Sequence, residues 1–282
     1  MDDKVSIIVP CWNLLYQTKD CISALALNVD YPFELIIINN ASTDETEQWL
    51  NRNLNYILAV GVPDISFLKN PHFKNFKIIN NEYPTSLSEY INLGVCESTG
   101  KYISIVANDI VIPQNMYKFL IEQLDKDSTI GAIGPWFTED LNALKMNPER
   151  LDSILYYLEL VNNKSDKIDN NWHFSVCHIM RRDAWNKIGP WDENFKTHCN
   201  DNDWGIRLEL CEYKAVTYHK FICYHHLGSL ARKQIPKENK VAEIDLAYFI
   251  GKWGKRPDDK QPVSVIKKEI RDIAKLGNYV NN

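Results

Sequence analysis

Five short polar stretches interrupt the apolar runs of this chain, and their side chains are the ones able to do chemistry. Asp109 lies in SIVANDIVIP (Ser104–Pro113), where an amide and a carboxylate break an otherwise hydrophobic run. A carboxylate at the edge of a strand can bind a divalent cation through oxygen. A cation held there neutralises a diphosphate and stabilises it as a leaving group. The plainer reading of Asp109 is a turn residue. Pro10-Cys11-Trp12-Asn13 and Asn39-Asn40-Ala41-Ser42 close two further apolar runs. Alone, each is a turn or a helix cap; together, at the ends of neighbouring strands, they would line one crevice. In NDNDWGIRL, Asp203 and Arg207 are four apart and suit a helical ion pair. Asp201 has only Gly205 four residues on. It is either a plain N-cap or a general base whose charged form the helix N-terminus favours. His225 and His226 follow an aromatic run, and either can serve as a metal ligand or sit in the core.

The elements that must position these groups are legible from apolar periodicity. KVSIIVP, FELIIIN and KYISIVAND are continuous apolar runs, as in parallel strands covered on both faces. YQTKDCISALAL between the first two has helical spacing. Ser42 with Glu45 forms a capping-box pattern, so a helix is expected to begin there. FKIINN reads as a strand, SLSEYINLGVCEST as a helix stopped by Gly100, and NMYKFLIEQLDKD as an amphipathic helix. Strand–helix alternation of this kind predicts an α/β fold with parallel strands, whose ligands sit beyond the carboxyl ends of the strands. Farther on, AVTYHKFICYHHLG predicts two short strands, and residues from 235 onward read as helical and basic.

The bulk numbers bound the class. With 282 residues, 45% hydrophobic and 24% charged, the chain suits one large domain or two small ones. A net charge of −5 argues against a surface built throughout for nucleic acid. The seven cysteines are scattered, with no CxxC pair, which favours a reducing compartment over a disulfide framework. Cys199, Cys211, Cys223 and His225 match no common zinc spacing. The start MDDKVSIIVP is not that of a signal peptide, and the apolar runs are too short to span a bilayer. A cytoplasmic location is expected.

The order of these motifs resembles that of the family 2 glycosyltransferases, over roughly Val5 to Ser229. VSIIVPCWN is similar to their first strand, and ELIIINNASTDET to their second strand and nucleotide loop. STGKYISIVANDIVIPQNM resembles the strand that bears their metal-binding DxD motif. HIMRRDAWNKIGPWDENF resembles their acceptor-side segment, NDNDWGIRL their EDxDxxxR motif, and YHHLGS a terminal element. The resemblance implies a GT-A fold: a Rossmann-like, mostly parallel central sheet flanked by helices, here with a helical C-terminal extension. It divides the chain into a transferase domain at 1–234 and a basic extension at 235–282. Within the domain, 1–112 would bind the nucleotide-sugar and 113–234 the acceptor.

The same resemblance implies inverting transfer of a sugar from a nucleotide-diphosphate sugar, a UDP-sugar first among candidates, with Mn²⁺ or Mg²⁺. Asp109 and His225 would hold the metal and Asp201 would be the base. Pro10, Cys11, Asn13, Asn39, Ser42, Asn92 and Asn108 would lie around the donor. Four positions depart from the pattern. Ala107 replaces the first DxD acid, Asn39 the usual acid of the base-reading position, and Asn200 the acid before Asp201, while YPTSLSEY lacks the usual glycine. An amide both donates and accepts, so the base preference does not follow from Asn39.

Acceptor classes stay open: a glycan, a lipid-linked sugar, a protein or a modified nucleobase in DNA. The tail VSVIKKEIRDIAKLGNYV suits a helix packed on the body or a peripheral membrane contact. It suits, with ARKQIPKENK, a nucleic-acid contact less well, given the acidic composition. Two other classes compete. A nucleotidyltransferase would carry a Gly-rich basic loop, which PCWNLLYQ lacks. A non-catalytic nucleotide- or sugar-binding module would keep the fold without turnover.

Overall fold

A computed structural model describes residues 2–52, 70–138, 151–170, 177–226, 238–254 and 257. The first strand, β1 (Asp2–Cys11), pairs in parallel with both β2 (Phe33–Asn39) and β4 (Gly100–Val106), and β3 (Phe73–Asn80) extends the sheet beyond β2. Between them run α1 (Leu15–Asn28) and α2 (Leu87–Cys96). The second half adds β5 (Ile110–Val111), α3 (Met116–Lys126), β6 (Ile130–Thr138), α4 (Leu151–Val161), β7 (Ile168–Asp169), β8 (Cys177–Arg181), α5 (Arg182–Ile188), α6 (Asn200–Leu210), β9 (Lys214–His225) and α7 (Glu238–Trp253). The strands form one mixed sheet in the order β3-β2-β1-β4-β8-β6-β9-β5, with β7 against β9.

The continuous apolar runs are explained by what covers the sheet. Val5, Ile7, Val9 and Cys11 of β1 and Phe33, Leu35 and Ile37 of β2 pack in one core with α1, α3 and α4. The alternating positions Ile8, Ile36, Ile38, Ile103 and Ile105 pack in a second core with Ile91, Trp185, Trp204 and Leu208 of α2, α5 and α6. A period-two strand therefore needs apolar residues at every position. Each such side chain contributes about 1.5–3 kcal/mol on burial.

The second core is tight where α2 crosses β1. A Cβ built on Gly94 would stand 2.6 Å from Ile8 Cγ2, a branched side chain fixed in the sheet. Gly94→Ala is expected to destabilise by about 1–3 kcal/mol, since overpacking outweighs the helix propensity gained. A thermal melt lowered by several degrees checks this.

Two local readings change. The helical stretch at 46–52 begins four residues after Ser42. Asp44 Oδ1 caps it by accepting from Thr46 N at 3.0 Å, while Ser42 Oγ accepts from Asn13 N at 2.8 Å. The capping box belongs instead to α2, where Ser86 and Glu89 satisfy each other's backbone N–H groups. AVTYHKFICYH forms one strand, β9, not two. Its pairing with β6 slips between Tyr218 and Ile222, a register shift inside a single strand.

Within the C-terminal extension, helix α7 is packed on the body. Phe249 is fully buried with Phe195 and Ile206, and Lys252 bridges Asp192 at 2.6 Å and Asp203 at 2.7 Å. The tail 263–280 and most of the basic run at 231–240 lie outside the described residues. No helix among the described residues is long and apolar enough to cross a membrane.

Candidate active site at the strand ends

The parallel register puts the carboxyl ends of β1, β2 and β4 side by side, with Cys11 opposite Asn39. At these ends the backbone is strained. Asn13, Leu14 and Ala41 have φ of 57°, 62° and 55°, a left-handed region that costs about 1–2 kcal/mol per non-glycine residue. Side-chain amides hold the chain there. Asn13 Oδ1 accepts from Thr43 N at 2.7 Å, and Asn108 Nδ2 donates to Asn13 O at 3.0 Å and Thr18 Oγ1 at 2.8 Å. Asn108 thus ties the end of β4 to the end of β1. Pro10 pairs in register with Ile38 inside the sheet. The Cys11 thiol is pushed up to about 12 by burial, with the charges of Asp44 and Asp109 adding to it, so it stays a neutral core group.

Asn39 is fully buried, and its amide is spent on Asn80 Oδ1 at 3.0 Å and Ser42 N at 3.3 Å. The polar groups that stand exposed at this rim are Thr43, Asp44 and Asn80. Asn40, named in the sequence only as a neighbour, holds the loop before α2. Its Oδ1 accepts from Thr85 N at 2.9 Å and Asn81 Nδ2 at 2.9 Å, and its Nδ2 donates to Thr85 O at 2.9 Å. The loop carries Tyr83, 69% exposed. The sequence signal for this latch was the second Asn-Asn pair, Asn80-Asn81, at another strand end.

Asp109 and His225 meet. β5 runs antiparallel to β9 with Ile110 opposite His225, His226 N donates to Asp109 O at 2.9 Å, and His225 Nε2 lies 3.3 Å from Asp109 Oδ2. Both side chains are 8% exposed. His226 points to the other face, where its Nε2 lies 3.3 Å from Asp20 Oδ2 of α1 and its ring meets Tyr16 and Tyr224 edge-on. The adjacent histidines therefore divide between sheet edge and helix layer, as alternation along a strand requires.

A carboxylate and an imidazole converging from two strands suit a divalent cation. Among the described residues no group of three or more His, Cys, Asp or Glu side chains could hold a metal. Ala107 adds no side-chain oxygen, so a metal here would find two protein side-chain donors among the described residues, Asp109 and His225.

Asp201 lies in the first turn of α6, and the N-cap is Cys199, at φ 60° with no side-chain cap bond. Asp201 is thus not the cap. It is half-buried, with Asn200 Oδ1 accepting from its N–H at 2.9 Å. Asp203, fully buried, takes Arg207 Nε at 2.9 Å and Trp253 Nε1 at 3.0 Å besides Lys252, so the expected helical ion pair is present. Burial pushes the Cys199 thiol up to about 11, with the charges of Asp201 and Asp245 beside it adding to the shift.

Asn92 is spent on the loop ahead of α6. It exchanges hydrogen bonds with Trp191 N and O, both at 2.9 Å, and donates to Glu193 at 3.0 Å. Leu87 N donates to Lys196 O at 2.9 Å. A chain of hydrogen bonds therefore runs from the end of β2 through Asn40, Thr85 and the start of α2 to the segment that leads into Asp201.

This mixed sheet, with its polar strand ends and its acidic helix start, has the GT-A arrangement. The model of the family described as glycosyl transferase family 2 matches residues 6–189, well over half of the chain. The chain belongs to that family. It is 23% identical over 253 residues to the poly-β-1,6-N-acetyl-D-glucosamine synthase of Staphylococcus epidermidis, covering 87% of this chain and 56% of that protein. The chain thus spans little more than half the length of that relative. Among solved structures it is similar to S. aureus TarS 1–349 in complex with UDP-GlcNAc, with a TM-score of 0.56 at 14% identity over 91% of this chain and 74% of that one. It is also similar to the mannosyltransferase PcManGT of Pyrobaculum calidifontis in complex with GDP-Man and Mn²⁺, with a TM-score of 0.55 at 13% identity over 96% and 80%.

Proposed function

We propose that this chain transfers a sugar from a nucleotide-diphosphate sugar to an acceptor hydroxyl with inversion. The observation that carries the reading is the Asp109–His225 pair, brought together at 3.3 Å beside the strained ends of β1 and β2. The acceptor oxygen attacks the anomeric carbon as the bond from that carbon to the diphosphate oxygen breaks. The electron pair leaves on the diphosphate, and the hydroxyl proton passes to the Asp201 carboxylate. Asp109 and His225 would hold a divalent cation, which when bound supplies charge stabilisation to the leaving diphosphate. The strand-end loops fixed by Asn13, Asn40 and Asn108 would receive the nucleoside, with Asn39 shaping that surface from beneath.

A UDP-sugar is the first donor to test, because the relatives named above include proteins described with N-acetylglucosamine or UDP-GlcNAc. Incubation with UDP-GlcNAc or GDP-mannose is expected to release the nucleoside diphosphate in Mn²⁺ and at least tenfold more slowly in EDTA. Equal release in EDTA would remove the metal from the account. Binding of the donor without release under any acceptor would favour the binding module, the reading that the missing acid at Ala107 supports.

A further inference from the structure

We infer that Asp245 of α7 is a positioning residue for Asp201. The inference rests on the reading of Asp201 as the base and adds to it an element beyond the matched family region, which ends at residue 189.

Asp245 is fully buried, and its carboxylate accepts three successive backbone N–H groups: Lys196 at 3.0 Å, Thr197 at 2.8 Å and His198 at 2.8 Å. The next residue is Cys199, left-handed and without a side-chain cap, and the next but two is Asp201. With no cap bond of its own, the start of α6 takes its direction from the segment that Asp245 holds. The other contacts of α7 fall on the same face. Residues 245, 248, 249, 252 and 253 follow helical spacing. Tyr248 and Lys252 take Asp192 at 3.0 and 2.6 Å, and Lys252 and Trp253 take Asp203. Burial opposes charge on Asp192, but hydrogen bonds from Lys252, Asn194 and Tyr248 hold its carboxyl down at about 2. The helix therefore grips the chain on both sides of Asp201 and leaves Asp201 itself half-buried. A general base must be held within a fraction of an ångström of the proton it takes, and small misplacements cost rate before they cost binding.

Asp245→Asn keeps the shape of the side chain and turns one accepting oxygen into a donor facing a backbone N–H. Hydrogen exchange read by mass spectrometry is expected to rise at least tenfold over 192–204 and to stay unchanged over β1 and β2. In Mn²⁺, UDP release from UDP-GlcNAc is expected to fall about 10–100-fold with the KM for the donor unchanged. Added to Asp201→Asn, the substitution should cost nothing further, because it acts through that carboxylate. Unchanged exchange, a raised donor KM at full kcat, or a further loss in the double variant would overturn the inference and leave the base reading in place. Full release by Asp201→Asn would instead overturn the base reading, and the inference with it.

Discussion

Asp201→Asn is expected to slow sugar transfer by about 10²–10⁴-fold, the range that a positioned general base supplies. At 1.36 kcal/mol per factor of ten, this is about 3–5 kcal/mol of barrier. The KM for the donor should not move, because the carboxylate meets only the proton of the acceptor. Loss of fold does not explain such an effect. A negative charge in the first turn is worth about 0.3–1 kcal/mol to the helix, and Asn keeps the side chain's size. The contrast with Asp203 sharpens the test. Asp203 is fully buried and held by Arg207, Lys252 and Trp253, so its replacement removes a partner from two half-buried cations and an indole N–H and should appear first as instability. Steady-state kinetics of the Asp201 variant, beside its thermal melt, separate the two outcomes.

Asp109→Ala is expected to weaken metal-dependent nucleotide binding by at least about 100-fold, near 3 kcal/mol. The reason lies in the ligand count. Among the described residues His225 would remain as a single protein donor, and Ala107, two residues upstream, supplies no acid to take over. In a pattern with two acids the same change would be milder. The backbone at the site should persist, because the bond that fixes it, His226 N to Asp109 O at 2.9 Å, does not involve the side chain.

Much of the scaffold was legible in the sequence because parallel strands covered on both faces must be apolar at every position. β1, β2 and β4 announce themselves in this way, and the polar residues that stop them mark the crevice. Asp109 and His225 each read as strand-edge residues. Their meeting was implied only by the family resemblance, since it depends on an antiparallel pairing of β5 with β9 across more than a hundred residues, which no local pattern encodes. The Ser42–Glu45 pattern misled for a similar reason. Ser42 is drawn across to Asn13 N, a tertiary contact that outcompetes the local cap, and the same motif at Ser86–Glu89 does cap its helix. Asn39 sits at the expected strand end but is turned inward by Asn80, a residue on a strand whose pairing the sequence does not specify. α7 read as part of a basic extension because lysines and arginines outnumber acids over 235–282, although ENKVAEIDLAYFIGKW itself is largely apolar. Its buried acid, Asp245, looks like any surface Asp until the loop it holds is in place.

The most direct test of the donor site is calorimetric titration of UDP into the protein with and without Mn²⁺, on the wild type and on Asp109→Ala. Stoichiometric binding that requires Mn²⁺ and is lost in the variant is the predicted result. Binding of equal strength without the metal, or unchanged by loss of Asp109, would contradict the assignment of Asp109 and His225 as the groups that hold the donor's diphosphate through a cation.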